Sequence, residues 1–339
     1  MIDLRNQSLT ELKELFVSMG EKPFRAGQLF RWIARGATDF DEISDLSAPL
    51  REKLSQTALL TNMKVRKVQV SAKDGTRKYL FQLLDGKTVE TVLMKYGYGS
   101  SICISSQVGC AMGCNFCASG IGGMERNLTA GEMAGQILEV QRESGEKINH
   151  IVVMGTGEPL ANYANLAKFI RLVHEKEGLN IGLRNITVST CGLISQIDRF
   201  ARDFPQVNLA ISLHAPTDEL RGSMMPINEK YPIDALLSAC KKYIEQTGRR
   251  ITFEYALVEG VNDTTEMIDL LARKLRGMLC HVNLIPLNPV NETGLLGTKR
   301  KHAKDLQARL EAKGISATVR RELGADIDGA CGQLRQNAK

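Results

Sequence analysis

From residue 100 onward, short apolar runs rich in β-branched residues alternate with longer stretches whose apolar positions recur at helical spacing. The runs fall at 101–105, 150–154, 185–190, 207–212, 251–258 and 281–286. Most are followed by an amphipathic stretch, at 129–143, 162–176, 194–203, 232–246, 264–275 and 300–313. The first helix opens on Thr129-Ala-Gly-Glu132, a capping box, and sets Met133, Ile137 and Val140 on one face. Strand followed by helix, repeated, predicts a parallel sheet, either doubly wound or curled into a barrel.

The first hundred residues read differently. Residues 8–58 predict helices: Ser8 caps the first, with Glu11 three residues on and Leu12, Leu15 and Phe16 at helical spacing. Pro23 starts a second, offering Phe24, Leu29, Phe30 and Ile33 for burial and Arg25, Arg31 and Arg35 for solvent or phosphate, while Leu50 and Leu54 mark a third. Trp32, the single tryptophan, reads as core. The period then shortens: Val65, Val68, Val70, then Tyr79, Leu80, Phe81, Leu83, then Val89, Val92, Leu93 form β-rich runs, with turns at Asp74-Gly75 and Asp85-Gly86. Glu90, alone in such a run, reads on this pattern as an exposed strand residue. The organisation expected is a helical accessory domain at 1–60, a β-extension at 61–98 and an α/β domain at 99–339.

Composition changes this picture little. With 43% hydrophobic and 24% charged residues and no run near twenty apolar positions, the chain is expected to be globular, without a membrane span. The start, Met-Ile-Asp-Leu-Arg-Asn-Gln-Ser, has no secretory character, so a cytoplasmic protein is expected. The net charge of +6, with Lys64, Arg66, Lys67, Lys73, Arg77 and Lys78 on one side and Lys299, Arg300, Lys301 and Lys304 on the other, suits a solvated face and is compatible with RNA.

The chemistry lies where strands should end. After the first strand comes Cys103-Ile-Ser-Ser-Gln-Val-Gly-Cys110-Ala-Met-Gly-Cys114-Asn-Phe-Cys117. Three of these thiols, in the spacing C-x-x-x-C-x-x-C, can converge on zinc or on an iron–sulfur cluster. The next strand runs into Gly155-Thr-Gly157-Glu158-Pro-Leu160, which lacks the third glycine of a dinucleotide fingerprint. Others end at Ser189-Thr-Cys-Gly, at Ser212-Leu213-His214 and at Pro286-Leu-Asn288-Pro. Polar groups at five strand ends point to one shared site on one rim. Cys240 and Cys280 lie in apolar periodic segments and read as core, whereas Cys331, in Asp326-Ile-Asp328-Gly-Ala-Cys331-Gly-Gln-Leu, reads as an accessible thiol.

The cysteine spacing, with Phe116 before its last member, resembles the radical S-adenosylmethionine (SAM) enzymes. Together with the Gly-Glu-Pro-Leu loop, Ser-Leu-His-Ala-Pro, Val-Asn-Leu-Ile-Pro, the Lys-Pro-Phe-Arg-Ala-Gly-Gln helix and the tail motif, it resembles the RlmN/Cfr family of radical SAM RNA methyltransferases over nearly the whole chain. The resemblance implies a partial (β/α)6 TIM-like barrel, a [4Fe-4S] cluster on Cys110, Cys114 and Cys117, and two SAM molecules per turnover. It assigns SAM contacts to Gly157, Glu158, Ser189, Ser212, Leu213, His214 and Asn288. By the same resemblance Cys331 carries the methyl group, Glu90 takes the ring proton, and Cys103 attacks Cys331 to form a disulfide that frees the product. The implied substrates are 23S rRNA and tRNA, methylated at carbon 2 of adenosine, with a reductant such as flavodoxin, by a monomer. Carbon 8 methylation, and a zinc-stabilised RNA-binding protein without catalysis, are the alternatives. The chain departs from the family pattern at Thr156, Cys191 and Gly329, where Met, Ser and Ala are usual.

Overall fold

The computed structural model describes residues 1–290 and 292–335. Two short parallel strands, β1 (Ile2–Asp3) and β2 (Ala58–Leu59), close a region of three helices, α1 (Leu9–Ser18), α2 (Phe24–Ala34) and α3 (Ala48–Thr57). The expected capping box forms: Ser8 Oγ accepts from the Glu11 N–H, and the Glu11 carboxylate accepts from the Ser8 N–H. α2 buries Ala26, Leu29, Phe30 and Ile33, but Phe24, expected in the core, is 58% exposed. It lies two positions before Ala26, about 200° around the helix and off the buried stripe. The Arg25 guanidinium covers its ring instead, 5.7 Å from the centroid. Trp32 packs partly buried against the core, as its reading required.

Strands β3 (Lys64–Val70), β4 (Arg77–Gln82), β5 (Thr88–Tyr96) and β6 (Gly99–Cys103) form an antiparallel meander. A small hairpin, β7 (Gln107–Gly109) with β8 (Met124–Asn127), follows. β6 is also the first of seven parallel strands, the others being β9 (Ile148–Val153), β10 (Ile186–Thr190), β11 (Asn208–Ser212), β12 (Ile251–Leu257), β13 (Cys280–Pro286) and the short β14 (Ala317–Val319). The ten strands from the meander to β14 make one sheet in sequence order, so the hydrogen bonds of the 61–98 segment continue into those of the α/β domain. Six of the parallel strands are each followed by helix: α4 (Ala130–Ser144), α5 (Tyr163–His174), α6 (Ile194–Asp203), the pair α7 (Asp218–Met224) and α8 (Ile233–Thr247), α9 (Thr265–Leu275) and α10 (Arg300–Ala312). The boundaries fall within a residue or two of those the sequence pattern predicts. α7 was not legible there.

The sheet is curled. Laid flat, it would hold β6 and β14 about 29 Å apart at ~4.8 Å per strand. Cys103 on β6 and Arg320 just past β14 nevertheless line one cavity. Among the described residues no hydrogen bonds close β14 onto β6, which leaves a partial barrel. One apolar core runs through barrel and N-terminal helices alike. α4 is buried at every position from Ala130 to Val140, because the N-terminal segment packs on the side the sheet does not cover. There a buried ion pair joins Arg5 to Glu139 (3.1 Å), and Gly131 donates to Asn6 Oδ1 (3.0 Å). A Cβ at Gly131 would come within 2.9 Å of the Asn6 nitrogen, so the close approach demands glycine. Among the described residues no helix is long and apolar enough to cross a membrane.

Candidate active site

The carboxyl ends of the parallel strands open onto a cleft, as the sequence pattern requires. The cysteine loop is held over it from three directions. Cys110 donates to the Gly123 carbonyl (3.0 Å), Asn115 donates through its backbone and side-chain amides to Met224 (3.1 Å) and Ser223 (2.9 Å), and Ala118 donates to Gly332 (2.7 Å). Cys110, Cys114 and Cys117 all face the cleft. Burial pushes the Cys110 thiol up to about 11, and those of Cys114 and Cys117 upward as well, each further opposed by a neighbouring thiolate. Three thiolates so placed call for a cationic centre. Three thiols in one loop, with no Cys or His among the ten residues after Cys117 to close a zinc tetrahedron, fit a cluster held by three cysteines.

β9 leads into the Gly155–Glu158 turn. Gly157 has φ 107°, and a Cβ there would stand 2.6 Å from that of Gln107, whose Oε1 accepts from the Glu158 N–H at 2.8 Å. This contact between the two loops requires glycine. The Glu158 carboxylate, fully buried, accepts from the N–H groups of Leu160 (2.9 Å) and Cys191 (2.8 Å). Burial nonetheless pushes its pKa up. Ser189 and Ser212, on neighbouring strands, face each other across the cleft wall with hydroxyls 3.5 Å apart.

His214 adopts the left-handed region, φ 59°, and its Nδ1 accepts from the Ala256 N–H at 2.9 Å. Its Nε2 therefore carries the proton. Burial holds its pKa at about 3, keeping the ring a neutral donor, and Phe116 packs edge-on at 4.9 Å. Leu213 does not join the cleft: its side chain is core, and its backbone binds Glu254 and Arg221. Asn288 reaches the tail, donating to the Cys331 carbonyl at 3.3 Å.

The tail loop folds into the site. Beyond the bonds from Asn288 and Ala118, Ser119 Oγ donates to Leu334 O (2.8 Å) and Gln333 Nε2 to Pro289 O (3.0 Å). Cys331 thereby lines both the cleft and an adjoining cavity that contains Cys103 and Cys117. The Cys103 thiol is buried and pushed up to about 12, first by that burial and then by the charge of Cys331. Glu90, which its strand pattern marked as exposed, is instead 1% exposed. It shares a sheet face with Cys103, since β5 pairs Val92 with Cys103 and residues two apart point the same way. Its oxygens meet Lys78 Nζ at 3.2 Å and the Arg335 N–H at 2.7 Å.

Several residues at the site gave no sequence signal. Arg221, on the unforeseen α7, is fully buried and donates to the carbonyls of Cys191 (2.7 Å), Ser212 (3.2 Å) and Leu213 (3.2 Å), bracing two strand ends. Arg320 lines both cavities, and the charges of Cys331, Glu254 and Cys103 strengthen its hold on its proton. Glu254, buried and accepting from Asn283 Nδ2 (2.8 Å), has its pKa raised by burial. Glu254 sits in an apolar run that hides its face, Arg221 on a short helix the pattern does not reveal, and Arg320 just past the last strand.

Comparison with known proteins settles the family. A model described as the ribosomal RNA large subunit methyltransferase N-terminal domain matches residues 2–60, and one described as the radical SAM superfamily matches residues 104–271. Proteins named probable dual-specificity RNA methyltransferase RlmN, from Desulforamulus reducens and Alkaliphilus oremlandii, are 51% and 52% identical, over 99% of this chain and 96% and 98% of theirs. The chain belongs to the RlmN family of radical SAM RNA methyltransferases. A crystal structure of a radical SAM methyltransferase from Sphaerobacter thermophilus superposes with a TM-score of 0.95 at 47% identity, covering 99% of this chain and all of that one. As an RlmN family member the enzyme uses a [4Fe-4S] cluster and two SAM molecules per turnover, and RNA is its substrate. A zinc-stabilised protein without catalysis is thereby set aside.

Proposed function

We propose that this RlmN family enzyme methylates carbon 2 of an adenosine in 23S rRNA, and of the adenosine beside the anticodon in tRNA, through an S-methylated Cys331. The position of Cys331 carries the reading: its loop is folded into the space that the three-cysteine loop and Cys103 share. Carbon 2 of adenine is an electron-poor amidine carbon and does not attack a sulfonium methyl. Cys331 does, as a thiolate; the methyl–sulfur bond of one SAM breaks and its electron pair leaves with S-adenosylhomocysteine. With Cys110, Cys114 and Cys117 holding the cluster, the bound cofactors supply a deoxyadenosyl radical. S-methylated Cys331 gives up a hydrogen atom to it, and the carbon left on sulfur bonds to the purine. Glu90 accepts the ring proton. Cys103 then attacks the Cys331 sulfur as a thiolate: the sulfur–carbon bond breaks with its electron pair on carbon, which takes a proton to become the methyl group, the one unpaired electron brought in with the radical would pass back to the cluster, and the disulfide left behind is reopened by a thiol reductant.

Gly157, Glu158, Ser189, Ser212, Leu213, His214 and Asn288 are the SAM-binding set, in which the buried Glu158 carboxylate suits the ammonium and the His214 Nε2–H serves as a donor. Leu213, with its side chain in the core and its backbone bonded to Glu254 and Arg221, serves the set by holding the end of β11 in place. The 1–60 helices and 61–98 strands are assigned to RNA contact and support, and 99–339 to catalysis. Exposed Lys64, Arg66, Lys67, Lys299, Arg300, Lys301 and Lys304 suit a polyanionic partner. A flavodoxin-like electron donor, a monomeric state and a cytoplasmic setting complete the reading. The test is incubation with SAM, reductant and unmodified RNA, followed by mass spectrometry of the nucleosides. 2-Methyladenosine is expected in both RNA classes; 8-methyladenosine, or no methylated adenosine, would overturn the proposal.

A further inference from the structure

We propose that Lys78 is a positioning residue for the methyl transfer, holding the Glu90 carboxylate in fixed relation to the loop that carries Cys331. The inference rests on the reading of Glu90 as the group that takes the ring proton. In the antiparallel pair β4–β5, Leu80 lies opposite Glu90 and Lys78 opposite Val92, so Lys78 and Glu90 are diagonal neighbours on one face. Val92 in turn lies opposite Cys103. Lys78, Glu90 and Cys103 therefore crowd one patch of sheet, and the tail loop docks on it.

The ammonium has two partners, Glu90 Oε1 at 3.2 Å and the Asp328 carbonyl at 3.2 Å. The other carboxylate oxygen accepts from the Arg335 N–H at 2.7 Å. Residues 328 and 335 flank Cys331 on either side. Both ends of the methyl-carrying loop are thus fastened to one ion pair, with the reactive sulfur between them. The pair is almost wholly buried, with 7% and 1% of the two side chains exposed, on the sheet face that carries the buried side chains of Leu80, Val92, Met94 and Cys103. Burying two charges in such surroundings costs as much as or more than apolar residues of similar volume would. Stability alone does not account for the pair.

The geometry divides the work. Purine approaching the carboxylate displaces the Arg335 N–H, which belongs to the tail, whereas Lys78 belongs to the sheet and stays. Lys78 then keeps the proton acceptor in place against the Asp328 end of the loop when the Arg335 end gives way.

Lys78→Met, Lys78→Gln, Lys78→Arg and Glu90→Gln are compared with wild type as full-length, cluster-reconstituted enzyme, using an unmethylated 23S rRNA transcript. Three readouts are taken: iron and sulfide content, S-methylation of Cys331 by peptide mass, and protein–RNA adduct on denaturing gels. Lys78→Met is expected to keep its cluster and to methylate Cys331, yet to accumulate adduct as Glu90→Gln does, with kcat down about tenfold or more and KM little changed. Lys78→Arg should recover most of the rate. Lys78→Gln, which keeps one donor and the fold, should accumulate adduct to a lesser extent and serves if Lys78→Met does not fold. Adduct in Glu90→Gln with wild-type turnover in Lys78→Met and Lys78→Gln would overturn the role of Lys78. So would equal loss of cluster, Cys331 methylation and turnover in every Lys78 variant. Normal turnover by Glu90→Gln would instead bring down the reading of Glu90, and this proposal with it.

Discussion

Replacing Arg221 by Met tests whether the SAM-side rim hangs on one buried guanidinium. The side chain donates to the carbonyls of Cys191, Ser212 and Leu213 at 2.7–3.2 Å and to Asn228 Oδ1 at 2.9 Å. A hydrogen bond from a charged donor contributes ~1.5–3 kcal/mol, so four such bonds sum to ~6–12 kcal/mol. Against this stands the cost of taking the guanidinium out of water, several kcal/mol, which also pulls its pKa down. The difference puts the net loss for Arg221→Met at ~3–5 kcal/mol, since methionine fills the space but leaves the carbonyls unpaired. Two of those carbonyls follow directly on strand residues of β10 and β11, so SAM affinity should fall with stability. Urea unfolding of cluster-matched proteins, with SAM binding measured on the same preparations, reads both. Arg221→Lys, unable to span the acceptors, should lie between. A loss below about 1 kcal/mol with SAM affinity intact would refute the reasoning, because it would place Arg221 among ordinary surface substitutions.

Cys103→Ala should leave RNA covalently attached to the protein, seen as a band shifted on denaturing gels and collapsed by ribonuclease; free product at the wild-type rate would remove Cys103 from the release step. Anaerobically prepared protein should be brown and contain iron and sulfide, and Ala at Cys110, Cys114 or Cys117 should bleach it; zinc-containing, colourless wild type would contradict the cluster assignment. His214 should affect stability on the acid side only. Its folded pKa, about 3, lies below the unfolded value of 6.5, so its contribution is complete above pH 6.5 and is lost as pH falls toward 3. His214→Gln, whose amide oxygen can still accept from Ala256, should flatten that decline in unfolding titrations at a series of pH values, and an unaltered slope would contradict the buried neutral ring.

The alternation after residue 100 was legible because each strand and helix carries its own period, and the rim was legible because parallel strands must deliver their carboxyl ends to one side. Cys110, Cys114, Cys117, Glu158, Ser189, Ser212, His214 and Asn288 accordingly meet in one cleft. What stayed hidden depends on which face of an element meets another element far away in sequence. Glu90 reads as a strand residue of either face until β4 and the tail cover it. Lys78 looks like one more member of a basic run, yet it is buried while Lys64, Arg66 and Lys67 are exposed. Phe24 is apolar and off the stripe. Leu213 belongs to a motif whose neighbours face the cleft while its own side chain fills the core. α7 is a short helix whose start, Asp218-Glu-Leu, resembles a loop, so Arg221 had no element to be placed on.

The central claim is that one carbon passes from SAM to Cys331 and then to RNA, and a pulse–chase addresses it directly. The enzyme is first incubated with methyl-deuterated SAM and no RNA, freed of excess SAM, and then given RNA, reductant and unlabelled SAM for a single turnover, with peptide and nucleoside masses followed together. Label on the Cys331 peptide that moves into the first methylated adenosine is the result expected. Methylated adenosine free of deuterium, or a Cys331 that never takes up label, would contradict the account.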